Sequence, residues 1–97
     1  MTERTDHETP RHPIGVVAER TGLSPDVLRV WERRYGVVRP VRASGGQRLY
    51  STADVERLRL LHRATEAGRN ISQLARLSIG ELGQLVQEDD AARALAP

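Results

Sequence analysis

The 97-residue sequence contains no cysteine and no phenylalanine, and its aromatic residues are one tryptophan and two tyrosines. The absence of cysteine excludes disulfide bonds and thiolate chemistry, and the three histidines show no metal-ligand spacing. No pair of carboxylates is placed for acid–base chemistry. A chain this short forms one small domain whose thin core must consist of leucine and valine. The sequence therefore predicts no enzyme activity and no cofactor in this chain.

Long hydrophobic runs are also absent, because nowhere do about eighteen apolar residues follow one another. The N-terminus has no targeting pattern, so we expect a cytoplasmic protein without a membrane partner. Residues 1–13, with two prolines and Met1 as the one sizeable apolar side chain, predict a disordered tail. Residues 88–97, with two aspartates and an alanine-rich end, predict a frayed end or the start of a linker. The predicted domain spans residues 14–87.

The charge is distributed unevenly along the chain, and all fifteen Lys and Arg positions are arginine. Residues 11–69 hold twelve arginines against six acids, a net charge of +6, whereas the segments before and after each carry −2. Between Val27 and Arg48 six arginines stand against Glu32 alone. A GC-rich genome accounts equally well for arginine in place of lysine, but it does not explain the clustering. The density of positive charge suits a polyanion such as DNA or RNA.

Two short helices joined by a tight turn are predicted near the start of the domain. The apolar spacing favours a helix over Ile14–Thr21 that ends at Gly22 in a left-handed C-cap. Ser24 is a good N-cap for a second helix, and Pro25 suits its first position because the missing N–H costs nothing there. Gly36 ends this second helix. The pair has the pattern of a helix-turn-helix.

The second helix is amphipathic, with Leu28, Trp31 and Tyr35 on the side expected to face the core. The remaining surface presents the candidate DNA contacts Arg29, Val30, Arg33 and Arg34. Arg29 and Arg33 are four residues apart, so both side chains can reach the same groove. The alternative is that any short helix pair joined by glycine has this pattern.

A small β-hairpin is predicted after the second helix, with strands near residues 41–42 and 48–50 and Gly45-Gly46 at its tip. A hairpin beside a helix-turn-helix is a wing, which reaches phosphate or the minor groove. The candidate wing contacts are Arg39, Arg42, Gly46, Gln47, Arg48 and Tyr50. Tyr50 either donates its hydroxyl to a phosphate or packs in the core.

Further helices are predicted in the C-terminal half. Ser51 is the N-cap of a third helix that runs to Gly68, with Asp54 completing a capping box. Two shorter helical pieces follow, over 71–77 and 78–87, opened by Ser72 and Ser78. The predicted fold is mainly α: a winged helix-turn-helix with a small β-hairpin wing and additional C-terminal helices.

Three segments carry a resemblance to a known family: IGVVAERTGLS at 14–24, LRVWERRYG at 28–36 and GGQRLYS at 45–51. Together they resemble the MerR family of bacterial transcription regulators over about residues 13–77. The resemblance implies a winged helix whose second helix enters the major groove of a double-stranded DNA operator. It also implies recognition-helix contacts by Arg29 and Arg33 and wing contacts by Gln47 and Arg48.

Val30-Trp31 stands where many family members have two aromatics, and the segment WERRYG at 31–36 is similar to the subgroup of light-responsive, cobalamin-binding repressors. Metal- and drug-sensing members continue into a long dimerising helix, whereas residues 78–87 predict a short one. The resemblance implies that this chain is the DNA-binding part of a longer, oligomeric repressor that binds cobalamin elsewhere. The isolated chain is expected to be a monomer, since residues 88–97 have no heptad pattern.

Two other functions fit the same pattern. One is a stand-alone DNA-binding protein of the excisionase type, which uses a similar winged helix for DNA architecture. The other is a protein-interaction module in which the arginines form a solvated face. A DNA affinity that falls with salt argues against the second alternative.

Overall fold

A computed structural model of the protein describes residues 7–95. The elements in chain order are β1 (His12–Pro13), α1 (Ile14–Thr21), α2 (Pro25–Tyr35), β2 (Val41–Arg42), β3 (Arg48–Tyr50), α3 (Thr52–Glu66), α4 (Ile71–Leu74) and α5 (Ile79–Leu95). The predicted fold class is confirmed: a mainly helical winged helix-turn-helix with additional C-terminal helices. Within the described residues no helix is both long enough and apolar enough to cross a membrane.

The turn between α1 and α2 forms as the sequence predicts. Gly22 has φ of 81° and donates its N–H to the Ala18 carbonyl, which ends α1 in a left-handed cap. An added Cβ at Gly22 would lie 3.1 Å from the His62 ring, so both the backbone angle and the space favour glycine. The Ser24 hydroxyl accepts the Val27 N–H at 3.1 Å and caps α2.

The wing is a three-stranded antiparallel sheet in the order β1-β3-β2. Val41 and Arg42 pair with Leu49 and Arg48 on one side of β3, whereas His12 pairs with Tyr50 on the other. A polar segment can form this outer strand because its pairing uses backbone groups, not apolar side chains.

The prediction of a disordered tail over residues 1–13 is therefore wrong for its last residues. Arg11 donates its N–H to the Tyr50 carbonyl at 3.0 Å, and His12 Nε2 lies 3.1 Å from the Thr52 hydroxyl. Residues 1–6 of the predicted tail lie outside the described part of the chain.

The core is mainly aliphatic, as expected, with Tyr50 as its one fully buried aromatic among the described residues, and it joins the helix-turn-helix to the C-terminal helices. Its largest fully buried side chains are Tyr50, Leu28, Leu58, Leu61, Leu82 and Val17. Trp31 and Tyr35 are only half-buried at its edge. Leu28 therefore anchors α2, while Trp31 covers the core from one side.

The third helix begins at the predicted cap. The Ser51 hydroxyl accepts the Asp54 N–H, and the Asp54 carboxylate accepts the Ser51 N–H, each at 3.0 Å. The next helix differs from prediction, because Asn70 and not Ser72 is its N-cap, and it ends at Leu74. The Asn70 side chain accepts the Ser72 N–H at 2.8 Å, so the residue two positions earlier makes the capping bond.

The last helix is longer than predicted. Ser78 caps it as expected, its hydroxyl accepting the Glu81 N–H at 3.1 Å, but α5 continues to Leu95. The two adjacent aspartates do not interrupt it, because Asp89 pairs with Arg69 at 2.8 Å and Asp90 with Arg63 at 2.6 Å. The prediction that residues 88–97 fray is therefore wrong through residue 95. The prediction that the isolated chain is a monomer relied in part on a short last helix. Since α5 is long, that argument no longer applies, and the monomer stays a prediction.

Candidate nucleic-acid interface

The exposed side of α2 carries the basic residues predicted to read DNA. Arg29, Arg33 and Arg34 are exposed, and Val30 is half-buried among them. Arg29 Nη1 lies 3.2 Å from the exposed Asp26 carboxylate, a surface pair that is easily exchanged for a phosphate. Because Arg29 and Arg33 are one helical turn apart, they present two guanidinium groups along one face.

Arg34 has a different neighbour. Its guanidinium carbon lies 5.8 Å from the centroid of the Tyr35 ring, within the range of a cation–π contact. Arg34 therefore lies at the flank of the recognition face, towards the C-terminal end of α2.

The hairpin tip presents backbone and side-chain donors. Gly45 and Gly46 have φ of 96° and 85°, which L residues rarely adopt, and Ala43 donates its N–H to Gln47 at 2.8 Å to close the turn. Arg42 Nη1 donates to the Gly46 carbonyl at 3.0 Å, which folds this arginine over the tip. Arg39, just before β2, and Gln47 at the tip are also exposed, so the hairpin region presents polar and basic side chains beside the exposed Val41.

Tyr50 is not available to DNA, so its prediction as a phosphate contact is wrong. Its side chain is fully buried, and its hydroxyl donates to Glu32 Oε2. Burial and the hydrogen bond to Glu32 both raise the pKa of Tyr50 above its usual value, because each disfavours the phenolate. Tyr50 is a core residue, which is the second of the two alternatives that the sequence left open.

Arg48 is also engaged within the protein. Its Nε donates to Glu32 Oε1 at 3.2 Å, and the Arg48 and Glu32 side chains are 29% and 10% exposed. The Glu32 carboxylate therefore stands between the recognition helix and β3, with one oxygen on Arg48 and the other on Tyr50. Arg48 is a partly shielded cation, unlike the exposed arginines of α2.

The structural role of Arg57 was missed from the sequence. Its guanidinium donates to the carbonyls of Val37 and Leu77 at 2.6 Å each and of Ala75 at 2.8 Å. Burial lowers the pKa of Arg57 from its ordinary value. The spacing of the residues contained a signal for this role. Arg57 is four residues before the buried Leu61, so both side chains lie on the same face of α3.

Several other arginines of residues 11–69 also bond within the protein. Arg59 donates to the Arg20 carbonyl at 2.9 Å, and Arg63 and Arg69 pair with the aspartates of α5. Residues 7–95 contain no group of three or more His, Asp or Glu side chains placed to hold a metal ion. The surface formed by α2 and the wing therefore offers exposed arginines, which can bind the phosphates of a polyanion.

A helix-turn-helix beside a basic hairpin defines a winged-helix DNA-binding domain. The chain belongs to the MerR family, since residues 13–81 match the model of the MerR HTH family regulatory proteins. This match covers more than half of the chain. The expected family is confirmed, and the chain is the DNA-binding domain of a MerR-family transcriptional regulator.

Curated relatives agree with this assignment. The chain is 39% identical over 70 residues to the HTH-type transcriptional regulator MlrA of Escherichia coli K12, which covers 72% of the chain and 29% of MlrA. It is 42% identical over 77 residues to the HTH-type transcriptional repressor CarH of Myxococcus xanthus, covering 79% of the chain and 24% of CarH. A match to the transcriptional regulator ZntR of E. coli K12 is 31% identical over 64 residues, covering 66% of the chain and 45% of ZntR. These relatives are regulators and not enzymes, and the chain spans less than half the length of each.

Proposed function

We propose that the domain recognises a specific double-stranded operator by placing α2 in the major groove and the hairpin on the flanking backbone. The supporting observation is that five exposed arginines lie on α2 and on the segment that leads into the hairpin, Arg29, Arg33, Arg34, Arg39 and Arg42, and that the one acid paired with them among the described residues is the exposed Asp26. The proposed base contacts are Arg29, Val30 and Arg33. The proposed backbone contacts are Arg34, Arg39, Arg42, Gly46 and Gln47, while the predicted wing contact of Arg48 stays a prediction because Arg48 pairs with Glu32.

The finer assignment is to a repressor of the light-responsive, cobalamin-binding subgroup. It is supported by the 42% identity to CarH, a transcriptional repressor, and by Val30-Trp31 in the recognition helix. In this proposal cobalamin binds outside residues 1–97, and the parent protein is oligomeric. The similar identity to MlrA, which is named only as a regulator, supports the broader assignment equally.

The operator can be found by selection from a random duplex library with the wild-type chain as bait. Binding of the enriched duplex and of a scrambled duplex is then measured by fluorescence anisotropy. We expect Arg29→Ala to weaken binding to the selected duplex by about 1–3 kcal/mol and to relax the preference at one base pair, because an arginine at a base edge discriminates by that amount.

Arg93→Ala is the matched control, since Arg93 is exposed near the end of α5, which packs on α3. It should bind both duplexes as the wild type does. A library that shows no enrichment would contradict sequence-specific recognition. Equal losses for Arg29→Ala and Arg93→Ala would contradict the proposed face.

A further inference from the structure

The Glu32 carboxylate is the main polar link between the recognition helix and the wing. Glu32 belongs to α2, whereas its partners Arg48 and Tyr50 begin and end β3. Each carboxylate oxygen accepts from one partner, Oε1 from Arg48 Nε at 3.2 Å and Oε2 from the Tyr50 hydroxyl. The side chain is only 10% exposed, so these bonds are shielded from water.

The wing depends on this link because its own ladder is short. Its strands are two or three residues long, and a ladder of that size is marginal by itself. The central strand β3 carries the other two strands, since β2 pairs with it through Arg48 and Leu49 and β1 through Leu49 and Tyr50. Whatever fixes Arg48 and Tyr50 therefore fixes the whole sheet relative to α2.

From this geometry we infer that Glu32 is a positioning residue for DNA recognition, which holds the wing at a set distance from the recognition helix and keeps Arg48 from pairing freely with phosphate. The inference rests on the proposed function, because it concerns how the two DNA-contacting elements act together. A domain that touches one duplex at two places loses less conformational freedom on binding when those places are already fixed.

The same carboxylate competes with DNA for Arg48. A guanidinium bound to a carboxylate makes the same charge-assisted hydrogen bonds that it would make to a phosphate. Glu32 thus lowers the affinity for DNA of any sequence while it fixes the geometry that a particular operator requires. Removing the Glu32 charge should therefore raise the affinity for DNA of any sequence and lower the preference for the operator.

Glu32→Gln tests this by removing the charge while keeping the size of the side chain. Its affinities for the selected duplex and for a scrambled duplex of the same composition are measured at several salt concentrations. We expect the scrambled duplex to bind about threefold more tightly and the log–log salt dependence to steepen by about 0.9, the value of one added phosphate contact. The ratio of the two affinities should fall by about tenfold, because the wing is no longer fixed.

Three further variants separate the two roles of Glu32. Adding Arg48→Ala to Glu32→Gln should remove the steeper salt dependence, because that arginine is its source. Tyr50→Phe should lower the affinity ratio without changing the salt dependence, since the Arg48 pair persists. Glu88→Gln, an equal change of charge on the exposed side of α5, should change neither quantity.

Amide hydrogen exchange over residues 41–50 of the free protein tests the restraint without DNA. We expect exchange about tenfold faster in Glu32→Gln than in the wild type and unchanged in Glu88→Gln, because opening of the wing becomes easier. Unchanged exchange would overturn the positioning role, as would an equal loss of affinity for both duplexes with an unaltered salt dependence. If the wild type selects no duplex, the proposed operator binding fails, but the exchange result still decides whether Glu32 restrains the wing.

Discussion

Arginine is used differently in the two halves of this domain. In the C-terminal half, Arg57 is bonded to three carbonyls, and Arg63 and Arg69 are paired with aspartates. On the recognition helix and the wing, Arg33 and Arg39 are exposed. The positive charge of residues 11–69 is therefore an upper limit on the charge available to a polyanion.

The two halves are also held together by different forces. The C-terminal half packs leucines and valines of α3 against α5, with Leu58, Leu61 and Leu82 fully buried. The wing adds Tyr50 to the core, and its polar bonds to α2 run through Glu32. Changes to the buried side chains of the C-terminal half should therefore affect stability, whereas changes to the exposed side chains of the wing and α2 should affect DNA binding.

The largest effect is expected at Arg57. Arg57→Ala removes the donor to three backbone carbonyls that join the loop after α2 to the turn before α5. We expect a loss of about 3 kcal/mol in the free energy of unfolding, because bonds to a charged donor are strong and the carbonyls lose a partner. Urea denaturation monitored by circular dichroism measures it.

Arg59→Ala is the matched control on the same helix. Arg59 makes one bond, to the Arg20 carbonyl, and is exposed, so its loss should cost below about 1 kcal/mol. If both variants unfold at the same urea concentration, the role given to Arg57 is incorrect.

A smaller effect is expected for a wing arginine, and it concerns DNA and not stability. Arg42→Ala should reduce the log–log salt dependence of binding by about 0.9, because one phosphate contact is lost. Arg63→Ala should leave that slope unchanged, since Arg63 lies on α3, outside the proposed interface, where it pairs with Asp90 of α5. Equal slopes for Arg42→Ala and the wild type would remove the hairpin from the proposed interface.

Local signals made much of this fold predictable from the sequence. Gly22, Ser24, Pro25 and Ser51 act through neighbouring residues, and the helix boundaries that they predict are confirmed. The outer strand β1 was not predictable in this way, because its pairing with β3 joins residues that are far apart in the sequence. The length of α5 was missed for a similar reason, since its aspartates are paired by arginines of other segments.

The same distinction applies to the candidate site. Exposure of Arg29 and Arg33 follows from helical phase, which the sequence contains. The pairing of Arg48 and the hydrogen bond of the Tyr50 hydroxyl both use Glu32, sixteen or more residues earlier. From the sequence, Glu32 has the pattern of a solvent-exposed charge, because the wing residues that shield and bind it are distant in the chain.

The smallest effect concerns the end of α5 and depends on pH. The hydrogen bond from Arg69 lowers the pKa of Asp89 below its usual value. The folded state thus binds this proton less readily than the unfolded state does. The ionised Asp89 therefore stabilises the fold at pH values above its unfolded pKa of about 3.9, and this stabilisation is lost as the pH falls through the pKa of Asp89 in the folded state. The melting temperature of wild type minus that of Asp89→Asn should therefore be positive at pH 7 and should vanish towards pH 2. A difference that is the same at both pH values would show that the asparagine acts by size or helix propensity, and that the ion pair with Arg69 does not hold the last turns of α5.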